Sequence, residues 1–189
     1  MKNGKDKISL FDAISYEYQF VISPRDVEAD MRNVKQQVHE LIRFPGHVLK
    51  SIPHIALYHF YSTGDVDTIL KKSLHTLSGI KSFQVKLDGS RAFASEQYDR
   101  SMYIKVENSE ELLNLHRALQ MTFYKQEQYF SPVLAFASGM KADRFLLIES
   151  EVLNLEFSEG FDCQQVTLLR RRLGEESPFE RVRTINLEG

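Results

Sequence analysis

The sequence predicts an α+β protein made of two pseudo-symmetric lobes of antiparallel sheet with helices. Two observations predict it. Short alternating strands are interspersed with amphipathic helices along the chain, in an order that broadly repeats. In addition, Pro53-His54-Ile55-Ala56-Leu57 in the first half aligns with Pro132-Val133-Leu134-Ala135-Phe136 in the second. Each of these stretches is followed by a glycine, a helix and an alternating strand.

The elements follow in order. In SYEYQFVISP, Tyr16, Tyr18, Phe20 and Ile22 share one face and Glu17 and Gln19 the other, the period of a strand. Ser23-Pro24 opens a helix, with Ser23 as N-cap and Asp26 in the first turn. Its buried stripe is Val27, Met31, Val34, Val38, Leu41 and Ile42, and Phe44-Pro45-Gly46 ends it. A strand over 53–60 leads to a helix started near Asp65, with Val66, Ile69, Leu70, Leu74 and Leu77 inward and a stop at Gly79. Phe83, Val85 and Leu87 define the next strand, which Asp88-Gly89 ends as a turn. SMYIKVEN is a further strand. Asn108 and Glu111 resemble a capping box for a helix carrying Leu112, Leu115, His116 and Leu119. SPVLAFASG reads as a strand, MKADRFLLIES as a shorter helix, and EVLNLEF, CQQVTLLR and RVRTINL as strands.

Composition narrows the function classes. Hydrophobic residues make up 42% and charged residues 26% of 189 residues, as in ordinary globular proteins. A formal charge of -2 supplies no global cationic field for holding nucleic acid by its phosphates alone, so DNA is not an expected partner. The single cysteine, Cys163, excludes an intramolecular disulfide and fits a reducing compartment; its reading is a small buried strand residue. The first residues lack the apolar core of a signal peptide, and no stretch approaches the ~20 apolar residues of a membrane span. The expectation is a cytoplasmic protein with no membrane partner.

The segments YEYQFVISP, PHIAL, LSGIKSFQVKLDG, MYIKVENSEELLNLHRAL, YFSPVLAF and FDCQQVTLLRR, in this order and spacing, resemble the 2H phosphoesterase superfamily. That superfamily contains the LigT-like 2'-5' RNA ligases and cyclic phosphodiesterases. The resemblance runs from Tyr16 to Leu187. It implies one bilobal domain over 1–189 around a central cleft, with a motif at 53–57 and a second at 132–136. In the family each lobe supplies H-x-[ST]. One histidine takes a proton from the attacking oxygen, the other protonates the leaving oxygen, and the hydroxyls hold the phosphate. No metal or cofactor is required by that scheme.

Carried over, His54 matches the first histidine, while Ala56 stands in place of its hydroxyl. Val133 replaces the second histidine and Ala135 the second hydroxyl. Loss of one acid–base group costs about 10²–10⁴ in rate. The resemblance therefore implies a protein without two-histidine catalysis that binds a nucleotide or RNA end. The alternative is an active phosphodiesterase or RNA-end-processing enzyme in which His54 works with a substitute group. Strand alternation puts Tyr58 on the face of His54 and His59 on the opposite face. Tyr58, Lys86, Arg91 and Arg170 are the ligand-binding candidates. Arg170 belongs to the run Arg170-Arg171-Arg172, which with Arg181 and Arg183 reads either as a phosphate contact or as a solvated edge strand.

Overall fold

The computed structural model describes residues 15–24, 28–43, 52–94, 99–107, 110–123, 129–147, 160–175 and 178–189. The fold is α+β, with two four-stranded antiparallel sheets. The strands are β1 (Tyr16–Ile22), β2 (Ile55–Ser62), β3 (Phe83–Ala94), β4 (Asp99–Val106), β5 (Val133–Lys141), β6 (Gly160–Cys163), β7 (Gln165–Arg172) and β8 (Glu180–Asn186). The helices are α1 (Glu28–Ile42), α2 (Val66–Leu77), α3 (Glu110–Phe123) and α4 (Ala142–Leu146). The first sheet has the order β2-β1-β7-β8 and the second β5-β4-β3-β6.

Each motif strand is thus an edge strand, with β1 or β4 beside it. The edges meet: His54 and Ala135 form an antiparallel bridge. On the far side, β6 of the second sheet runs into β7 of the first with only Gln164 between them. The two lobes are therefore joined by backbone at the β2 and β5 edges and again where the edge strand β6 passes into β7, an inner strand of the first sheet.

The core follows from apolar alternation. Tyr18, Phe20 and Ile22 of β1 and Val166 and Leu168 of β7 are buried on one face of the first sheet. There α3 delivers Phe123, whose ring stacks on Phe60 at 4.5 Å. Leu112, Leu115, His116 and Leu119 are buried, as their helical spacing predicts. In α2, Asp65 accepts from the Thr68 amide as N-cap and Gly79 follows with φ 85, a left-handed position that glycine takes without strain. Leu74, expected inward, is exposed, and Ser73 is buried in the stripe by donating to the Ile69 carbonyl at 2.7 Å.

Two expectations change. Asp88-Gly89 does not end β3. Leu87 pairs with Val106 and Ser90 with Ile104, so Gly89, at φ 65, sits in an irregularity inside one long strand. A left-handed glycine serves a bulge as well as a turn. The expected strand CQQVTLLR divides at Gln164: Cys163 ends the short β6, in which buried Phe161 and Cys163 flank exposed Asp162, and β7 begins at Gln165. Gly160 fits there because a Cβ would lie 2.6 Å from the Val85 carbonyl oxygen. The expected strand at EVLNLEF and the Asn108 cap lie outside the described residues, as do residues 25–27 and 44–51.

Candidate functional site at the junction of the motif strands

His54 and Ala135 exchange both backbone bonds: the His54 amide donates to Ala135 at 3.3 Å and the Ala135 amide to His54 at 2.9 Å. In such a pair the two side chains project to the same face. Alternation adds Ala56 and Val133 to that face, so the four motif positions are brought together. The row continues into the second sheet, where Tyr103 is opposite Ala135 and Arg91 is opposite Tyr103. Lys105 is opposite Val133.

Both motif strands carry the same irregularity. Phe20 pairs with Tyr58 and Val21 with Ala56, leaving Leu57 as an extra residue in β2. Tyr103 pairs with Ala135 and Met102 with Ala137, leaving Phe136 as the extra residue in β5. The bulge falls on the third residue after His54 and the third after Val133. The two halves thus repeat at the level of backbone register.

The first bulge corrects the reading of two side chains. Strict alternation puts Tyr58 with His54; the extra residue turns Tyr58 into the core, 2% exposed, edge-on to His116 and stacked with Phe60. His59 turns the other way and joins Ala56 on the open face. Tyr58 is therefore a core side chain, and His59 stands on the face of Ala56 where strict alternation places it on the opposite one. Each inter-row step along an antiparallel strand is about 6.8 Å, so His59 stands two steps, about 14 Å, from His54. One phosphate does not bridge them.

The remaining candidates separate. Arg170 is opposite Tyr18 on the helix-covered face, with its guanidinium 5.0 Å from the Tyr16 ring centroid and 3.7 Å from Glu180. It is turned away from His54. Lys86 is exposed opposite Gly160, on the face of Lys105 but two rows along and two strands across from Ala135, about 17 Å away. Arg91 holds a register position in the His54 row. His75 is exposed on α2, and His116 is a packing residue.

His54 is half-buried, and its Nδ1 is 3.0 Å from the Ile52 carbonyl. A carbonyl only accepts, so Nδ1 carries the proton and Nε2 is left as the basic nitrogen. Burial holds its pKa below the usual histidine value; the Ile52 bond opposes this, and the positive charge of Lys35 adds to it. His54 is consequently a neutral base near pH 7. Lys35 itself is 1% exposed between Met31 and Val38 on α1, and burial lowers it to about 8. Helical periodicity alone reads a lysine as outward, and register alone places Tyr103, so the sequence marks neither as a site residue. Among the described residues no cluster of histidine, cysteine, aspartate and glutamate could hold a metal ion, and no helix is long and apolar enough to cross a membrane.

A family model described as the 2'-5' RNA ligase superfamily matches residues 24–175. The chain belongs to that superfamily. Comparison with curated protein sequences finds no match. Solved structures similar to this fold include TT0787 of Thermus thermophilus, 16% identical with TM-score 0.69, covering 92% of this chain and 98% of that one. Escherichia coli LigT complexed with 3'-AMP is 13% identical, with TM-score 0.63 and coverage of 92% and 98%. Kluyveromyces marxianus Usb1 is 11% identical, with TM-score 0.55 and coverage of 91% and 98%. At these identities the likeness concerns the fold, and the two-lobed α+β architecture of the superfamily is the one found here.

Proposed function

We propose that this chain acts as one bilobal unit whose groove binds a nucleotide or RNA end at His54 without turning it over by the two-histidine route. The observation that carries the reading is the His54–Ala135 bridge. It sets a neutral imidazole beside a methyl group where the superfamily scheme calls for a hydroxyl, with Val133 on the same face in place of a proton carrier. A neutral His54 offers Nε2 as an acceptor to a hydroxyl or to a protonated phosphate oxygen, while Tyr103 and Lys105, the latter 3.5 Å from the Asp88 carboxylate, hold register positions on the same face. Valine transfers no proton to a leaving oxygen, so the acid half of the reaction is missing. E. coli LigT structures of similar fold hold 3'-AMP, NADP+ and ATP, which supports a nucleotide as the ligand. A calorimetric titration with 3'-AMP tests the reading. Binding that weakens about tenfold in His54→Ala agrees with it; equal affinity in both proteins contradicts it.

A second reading, an active phosphodiesterase, is favoured by Lys35. Its charge is felt at His54 and its lowered pKa suits a proton donor near neutral pH. On that reading Lys35→Met and His54→Ala each abolish turnover of a 2',3'-cyclic nucleotide that the wild type supports.

A further inference from the structure

We infer that the open face of the first sheet is a stacking track for single-stranded RNA, running from His54 along β2 over His59 and Tyr61. The inference rests on the end-binding reading above and extends it to the nucleotides that precede the bound end.

The track is a product of register. Val21, Gln19 and Glu17 alternate on one face of β1 without interruption, and they pair with Ala56, His59 and Tyr61; Val21 is itself covered, 3% exposed, so the exposed surface of this face belongs to β2. These three residues of β2 therefore share the face of His54 at steps of about 6.8 Å, a spacing that one unstacked nucleotide can span. Without the extra residue at Leu57, Tyr58 and Phe60 would occupy this face and the two outward rings would be buried. Instead His59 is exposed, Tyr61 is 47% exposed, and the rings meet edge to face at 6.1 Å. The helix α3 packs on the opposite face, through Phe123.

The charge around the rings favours stacking over phosphate attraction. Arg171, next to Glu17 in the Tyr61 row, is bound by that carboxylate at 2.8 Å, and its guanidinium lies 4.6 Å from the Phe179 ring centroid. The pair is locally neutral. An exposed cation on this face is Arg181, opposite Leu169 and one row nearer His54. Rings on a strand with a cation nearby suit bases splayed from a single strand, because every base offers a π face. An acidic peptide would instead need several unneutralised cations.

Fluorescence anisotropy with three probes separates this track from the end site: a mononucleotide 3'-phosphate, an eight-nucleotide RNA with the same 3'-phosphate, and the same RNA with hydroxyl ends. The track predicts that both octamers bind more tightly than the mononucleotide. It also predicts that His59→Ala/Tyr61→Ala removes the gain, about tenfold per ring, without changing mononucleotide affinity. The salt slope should be shallow, about -0.7 in log–log terms, as for one phosphate contact. Octamers that bind no better than the mononucleotide, or a double variant with unchanged octamer affinity, overturn the track while leaving the end site standing. Loss of the phosphate preference with the ring effect intact removes the end site and keeps the track. Absence of binding by all three probes removes both.

Discussion

His116 on α3 reaches across to β2 and donates from Nδ1 to the carbonyl of Leu57 at 2.7 Å, while its ring lies 4.5 Å from and nearly parallel to that of Phe130. Leu57 is the extra residue of the first bulge. A buried helix side chain thus satisfies the backbone group that the bulge takes out of the β-ladder. The register that turns His59 outward begins at this residue.

Replacing His116 by leucine leaves that carbonyl buried and unsatisfied. The expected cost is about 1–3 kcal/mol in chemical denaturation, with weaker octamer binding as the strand loses its register. His116→Asn, which retains a donor, should recover part of both. A leucine variant of unchanged stability would show that the bond does not hold the bulge.

Lys35 gives stability a pH signature. Its proton is released near pH 8 in the folded protein against 10.5 when unfolded. Between those values the unfolded state binds more protons, so unfolding free energy rises with pH, by about 3 kcal/mol in full from this group. Lys35→Met should lack this rise when urea midpoints are compared at about pH 7.5 and pH 10. Removing the positive charge should also raise the His54 pKa, read from its imidazole proton shifts, toward the ordinary value. A His54 titration that does not move would disconnect the two residues.

Burial pushes the Cys163 thiol up to about 12, and its Sγ is 4.0 Å from the Gln165 carbonyl. The thiolate is the reactive form, so Cys163 should resist a disulfide reagent at about pH 8 and react only after denaturant is added. Rapid labelling of the native protein would contradict the β6–β7 crossing that encloses it.

Restoring the missing groups should restore chemistry. Val133→His introduces an imidazole on the face of His54, and Ala56→Thr with Ala135→Thr adds two hydroxyls. The triple variant should hydrolyse a 2',3'-cyclic nucleotide about 10²–10⁴ faster than the wild type. A folded triple variant without activity would mean that position 133 does not face His54 across a shared phosphate.

Much of this fold is legible in the sequence because its signals are local. Asp65 and Gly79 bracket α2, and Leu112, Leu115 and Leu119 repeat at helical spacing. The paired motif segments are legible too, and the bridge joins them as the repeat suggests. What stays hidden is set by the neighbouring strand. Nothing within IALYHFYS marks Leu57 as extra; only its register against β1 does, and that single residue exchanges the roles of Tyr58 and His59. Asp-Gly serves both a turn and a bulge, so β3 reads as shorter than it is. Lys35 is hidden by its own chemistry, since a buried ammonium breaks the pattern that locates a helix face.

The central claim is a groove that has kept one imidazole and lost proton transfer to the leaving group. Hydrolysis of a 2',3'-cyclic nucleotide by the wild type and by His54→Ala, followed through release of the ring-opened product, tests it most directly. Rates at the uncatalysed background in both proteins are the predicted result. Turnover by the wild type that falls about a hundredfold or more in His54→Ala would contradict it.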